Sequence, residues 1–124
     1  MANRIELLRE YQTGVRTMDP ERAMSVATPD FQFVDGALDY LVTRENFSDY
    51  LLGWESRMQS MGGTGRYEVS DELEIDSEEH LLRWGWWKFI GTEIEGSALV
   101  KVIDTGVLYE KIAYYQMPPK LNYD

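Results

Sequence analysis

Apolar residues recur along the first part of the chain at helical intervals. Ile5, Leu8, Val15 and Met18 fall on one stripe with Leu7 and Tyr11 beside it, which predicts a helix over 4–18. Asp19-Pro20 then supplies an N-cap followed by proline at the first helical position. A short second helix is expected from Glu21 to Ala27, with Met24 and Ala27 inward, until Thr28-Pro29-Asp30 ends it. Phe31 to Val34 reads as a strand, Asp35-Gly36 breaks it, and Leu38 to Val42 reads as a second short strand. A third helix opens at Thr43. Phe47, Tyr50, Leu51, Trp54, Met58 and Met61 form its stripe, the clearest period in the chain, and Gly62-Gly63-Thr64-Gly65 stops it.

The second half alternates instead. Four strands are expected, over 66–75, 81–90, 94–103 and 107–116. They are separated by Asp76-Ser77-Glu78-Glu79, Gly91-Thr92 and Asp104-Thr105-Gly106, all turn-forming residues. Short connections favour antiparallel neighbours. The expected product is an α+β domain, a long curved antiparallel sheet with three N-terminal helices on one face. It spans 1–117, and Pro118-Pro119 ends the last strand before a tail over 118–124.

The chain has 124 residues and 44% hydrophobic residues, enough for one domain with a sizeable core. Its net charge of −10 disfavours nucleic acid and anionic membrane as partners, since both need a basic surface. Without cysteine there is no disulfide framework and no thiol chemistry. The segment Met1-Ala2-Asn3-Arg4-Ile5-Glu6 lacks the apolar stretch of a signal peptide, and no apolar run reaches membrane-spanning length, so a cytoplasmic protein is expected. Eight Tyr, four Trp and four Phe point to a core, an apolar pocket or a subunit interface.

Helix, short helix, strand, helix and four long strands is an order that resembles the nuclear transport factor 2-like superfamily, which includes ketosteroid isomerase and the SnoaL-like polyketide cyclases. The resemblance is carried by Arg9-Glu10-Tyr11, Met18-Asp19-Pro20-Glu21-Arg22, Pro29 to Gly36, Asp104-Thr105-Gly106-Val107-Leu108 and Ala113-Tyr114-Tyr115-Gln116. It implies a cone-shaped, cystatin-like α+β roll. It also implies roles: Tyr11 resembles the isomerase tyrosine that donates to the developing oxyanion, and Asp35 resembles the aspartate that moves the proton. Their interval of 24 residues is similar to the family's. The isomerase's second oxyanion donor, a protonated aspartate on a later strand, falls at Gly96 or Ser97 here, so the resemblance does not extend to steroid isomerisation itself.

Two functions follow as expectations. In the first, an enzyme without cofactor or metal uses Asp35 as general base and Tyr11 as oxyanion donor on a small hydrophobic carbonyl compound. In the second, the same pocket holds an apolar ligand without turnover, or the domain exists to dimerise. Asp35 alone also reads as a turn aspartate before glycine, and Tyr11 as a core tyrosine. Phe33, Tyr50, Trp54, Trp84, Trp86 and Tyr114 are the candidate ligand-binding residues. Alternation sends Trp84 and Trp86 to one face of their strand and Arg83, Trp87 and Phe89 to the other, leaving open which face turns inward. The remaining aromatic surface suggests a homodimer through the sheet. His80, the only histidine, lies in a turn with Glu78-Glu79 and is a poor start for a metal site. The glycine run 62–65 lacks the residues of a phosphate loop, and no serine nucleophile elbow is present.

Overall fold

Helix α1 (Arg4–Arg16) starts at a capping box. The Asn3 side chain accepts from the Glu6 amide at 3.0 Å, and Glu6 accepts from the Asn3 amide at 3.2 Å. The helix ends two residues short of expectation in a Schellman turn. Met18 there takes φ 57°, a left-handed position without glycine, while the Asp19 amide bonds the Gly14 carbonyl at 2.8 Å. Asp19 caps α2 (Pro20–Met24) through the Arg22 amide, as its Asp-Pro pair predicts. This computed structural model describes residues 3–115, so the expected tail over 118–124 and the end of the last strand at Gln116 lie outside the described residues.

The first strand, β1 (Ala27–Asp35), is longer than the apolar run suggests. Pro29 sits inside it, which a regular ladder would not tolerate, but the pairing register shifts between Ala27 and Gln32, so no ladder bond is asked of it. Of the expected second strand only Val42 survives, in the two-residue β2 (Val42–Thr43). Thr43 therefore ends a strand and does not open a helix. The expected third helix is two: α3 (Phe47–Leu52) and α4 (Trp54–Ser60), with Gly53 ending one and starting the other.

Four long strands follow: β3 (Tyr67–Asp76), β4 (Leu81–Phe89), β5 (Glu95–Ile103) and β6 (Gly106–Tyr114). They form an antiparallel meander, and the six-stranded, open, curved sheet has the order β2-β1-β6-β5-β4-β3. One pairing departs from the antiparallel expectation: β1 runs parallel to β6. The first strand thus inserts beside the last.

Leu8, Tyr11, Phe31, Phe33, Phe47 and Leu51 are fully or almost fully buried and anchor the main core between helices and sheet. A second cluster of Trp87, Ile94 and Ala98 packs with Phe89 and Tyr114. Among the described residues no helix is long and apolar enough to cross a membrane.

Candidate functional site

The inward positions of the sheet lie in rows across the strands. One row runs Glu72, Gly85, Ala98, Ile112, Asp35, from β3 to β1. The next runs Glu74, Arg83, Val100, Glu110, Phe33. Glycine and alanine at the centre of the first row leave the concave face hollow. The result is a cavity of about 560 Å³, a volume that suits a small organic ligand.

Asp35 lies on this wall and is 4% exposed. Its oxygens divide the work. Oδ1 accepts from the Ala37 amide at 2.9 Å, and the Asp35 carbonyl accepts from the Leu38 amide at 2.9 Å, so the residue does shape the turn after β1. Oδ2 accepts from the Tyr50 hydroxyl at 2.7 Å. The turn role and the cavity position are therefore compatible. Burial, followed by the charge of the Asp35 carboxylate, drives the Tyr114 phenol far above its ordinary range. Tyr50 is raised likewise, by burial first and by Asp35 second. Both phenols therefore stay protonated and act as donors. The Arg57 guanidinium stacks 4.8 Å above the Tyr50 ring.

Tyr11 is placed otherwise than its pairing with Asp35 implies. It is buried behind the cavity, is not among the residues lining it, and donates its hydroxyl to Glu110 Oε1 at 2.6 Å. The structure does not bring the Tyr11 hydroxyl and the Asp35 carboxylate to one open surface. Its partner is the residue that sequence reasoning missed. Glu110 lines the cavity at 7% exposure. Burial raises its pKa; the Tyr11 hydrogen bond and Arg83 pull it back, and the charge of Asp35 adds to the rise. Parity was the available signal: Glu110 alternates in phase with Ile112 and Tyr114, not with Lys111 and Ala113. Neither Gly96 nor Ser97 brings an acid to this wall, and the buried acid comes from β6 instead.

Tyr50, Trp54 and Tyr114 line the cavity. Phe33 does not; fully buried, it backs the wall with its ring centroid 4.8 Å from that of Tyr50. Trp84 and Trp86 are corrections. They face away from the cavity, and Trp86 donates its indole N–H to the Tyr115 hydroxyl at 3.0 Å on the outer side. The inward face of β4 is Leu81, Arg83, Gly85, Trp87 and Phe89. The reason is that Arg83 can turn inward: its Nη2 pairs with Glu72 Oε1 at 3.1 Å, and its guanidinium lies over Gly85. Among the described residues no cluster of three His, Cys, Asp or Glu could hold a metal ion.

No family model matches the chain, and no curated protein matches it. Solved structures do. An NTF2-like protein of unknown function from Cytophaga hutchinsonii superposes with TM-score 0.62 at 10% identity, covering 92% of this chain and 91% of its own. TerC, co-crystallised with polyporic acid, gives 0.65 at 16% identity, covering 91% and 92%. A putative ketosteroid isomerase from Parabacteroides distasonis gives 0.60 at 8%, covering 91% and 88%. At these identities the likeness is one of fold, and the fold is the α+β roll of the NTF2-like and ketosteroid isomerase-like proteins.

Proposed function

We propose that this is a small-molecule pocket protein that moves a proton on a hydrophobic carbonyl compound without a cofactor, in the manner of an isomerase or polyketide cyclase working in the cytoplasm. The observation that carries the reading is Asp35: a buried carboxylate on a cavity wall, oriented by Tyr50 and the Ala37 amide. Asp35 takes the proton from the carbon beside the carbonyl, and the C–H electron pair moves to the oxygen as the enolate forms. Glu110, whose pKa burial raises, replaces Tyr11 in this reading as the donor to that oxygen, acting in its protonated form. Tyr11 holds Glu110 Oε1, which leaves Oε2 to carry the proton. Return of the proton to a different carbon completes an isomerisation and restores both acids. The co-crystallisation of TerC with polyporic acid supports the capacity of this fold to take a small organic acid.

The test is deuterium exchange at the α-carbon of 2-tetralone, followed by NMR. Wild-type protein accelerates exchange over buffer, Asp35→Asn abolishes the acceleration, and Glu110→Gln reduces it by about 10²–10³. Equal rates for wild type and Asp35→Asn remove Asp35 from catalysis.

A second reading, a binding and dimerisation module, draws on the outer face. There Leu73 (51% exposed) pairs across strands with Trp84, and Ile75 (46% exposed) pairs with Leu82. Such an apolar face suits a second copy of the chain, giving a homodimer through the sheet. Tight binding of 2-tetralone without exchange would favour this reading over the enzyme.

A further inference from the structure

Two buried donors on the cavity wall have no hydrogen-bond partner among the described residues: Arg83 Nε and the Trp87 indole Nε1. A buried polar group without a partner is costly, and a protein that keeps two on one wall gains if a ligand supplies the acceptors. The arrangement around them is built. A Cβ at Gly85 would stand 2.5 Å from the Arg83 guanidinium carbon, so only glycine lets the guanidinium lie flat against the sheet. A Cβ at Gly96 would collide first with the Ala113 carbonyl oxygen and then meet the Trp87 ring at 2.8 Å, so glycine there serves the strand pairing as well as the indole.

Charge points the same way. The chain carries −10, yet four of its eight arginines, Arg16, Arg57, Arg66 and Arg83, line this one cavity against four acids, Asp35, Glu55, Glu72 and Glu110. Four arginines thus balance four acids on this wall, inside a protein whose net charge is −10. No lysine lines it. A guanidinium presents a planar edge of N–H donors that matches a carboxylate.

We propose that the ligand is a ring-bearing carboxylate, its anionic group on the Arg83 guanidinium and a further ring oxygen, where one is present, on Trp87 Nε1. The proposal rests on the cavity being the ligand site, but not on Asp35 turning the ligand over.

The experiment is isothermal titration of the full chain with 2-naphthoate, 2-naphthamide and 2-naphthylmethylammonium at pH 7. Naphthoate binds at least about tenfold more tightly than the amide, and the cation binds weakest. Arg83→Met brings naphthoate down to the amide, while Arg83→Lys keeps part of the preference. Gly85→Ala displaces the guanidinium and weakens naphthoate without weakening the amide, which separates a loss of recognition from a loss of fold. 6-Hydroxy-2-naphthoate gains over naphthoate in wild type and loses that gain in Trp87→Phe. Equal affinity for naphthoate and amide, or a preference that survives Arg83→Met, overturns the proposal and leaves the proton-transfer reading standing. If none of the three binds, the proposal and the reading of the cavity as a ligand site both fall. Loss of exchange in Asp35→Asn with naphthoate binding intact separates catalysis from recognition.

Discussion

Tyr11 donates its hydroxyl to Glu110 at 2.6 Å, a buried bond that ties the first helix to the last strand across 99 positions. Tyr11→Phe keeps the ring and removes the donor. Glu110 then loses its hydrogen bond in a buried site, at a cost of about 1–3 kcal/mol. Urea denaturation should show a lower midpoint with an unchanged m-value. An unchanged midpoint would mean that the bond contributes nothing.

Glu110 should also give the protein a pH signature. Its carboxyl titrates above the unfolded value of 4.5, chiefly because of burial. The folded state therefore holds this proton more tightly than the unfolded chain does. Its contribution is fully present below pH 4.5 and is lost as pH rises through the folded value. Glu110→Gln cannot titrate and still offers Tyr11 an acceptor. The difference in stability between variant and wild type should shift in favour of the variant as pH rises from 4.5. Parallel pH profiles for the two proteins, from thermal melts at a series of pH values, would refute this.

Gly14 marks where α1 and α2 touch. A Cβ there would stand 2.5 Å from the Ala23 nitrogen and 2.8 Å from its Cα. Alanine improves helix propensity by about 1 kcal/mol, whereas overpacking costs about 1–3 kcal/mol. The obstacle is backbone, so overpacking wins and Gly14→Ala should be destabilised. A higher denaturation midpoint for the variant would show that α2 moves aside freely.

The outer sheet face makes a prediction about assembly. Leu73→Glu places a charge opposite Trp84 on the surface proposed to bury itself in a dimer. Light scattering at tens of micromolar protein should show a dimer for wild type and a monomer for the variant, with the far-ultraviolet spectrum unchanged. A monomeric wild type would remove this interface.

Much of the fold was legible because period and punctuation agree. The stripe from Phe47 to Met61 and the alternating second half name their own elements, and the turn residues between the last strands fall where the turns are. Gly53 was harder to read, since one glycine within a strong helical stripe is no sure break, yet α3 ends and α4 starts there. The parallel pairing of β1 with β6 has no local signal, because partner choice depends on where the chain returns in space. The site was legible in part. Asp35 stands out as a carboxylate closing an apolar run. Glu110 and Arg83 do not, because a charged residue in an alternating strand reads as solvent-facing unless its phase is compared with that of its apolar neighbours. Trp84, Trp86 and Trp87 put large apolar groups on both faces of β4, so hydrophobicity alone could not choose between them.

The parallel seam between β1 and β6 also sets a schedule for the nascent chain. Asp35 leaves the ribosome 77 residues before its partner Ile112. At about 5–20 residues per second, β1 waits roughly 4–15 s with that edge unpaired. Through that interval the strand's backbone groups are open to other chains, and Pro29, which lacks an N–H, makes its first half a poor template for them. The wall of the pocket is complete only once β6 lies beside β1, with Glu110 and Tyr114 joining Asp35.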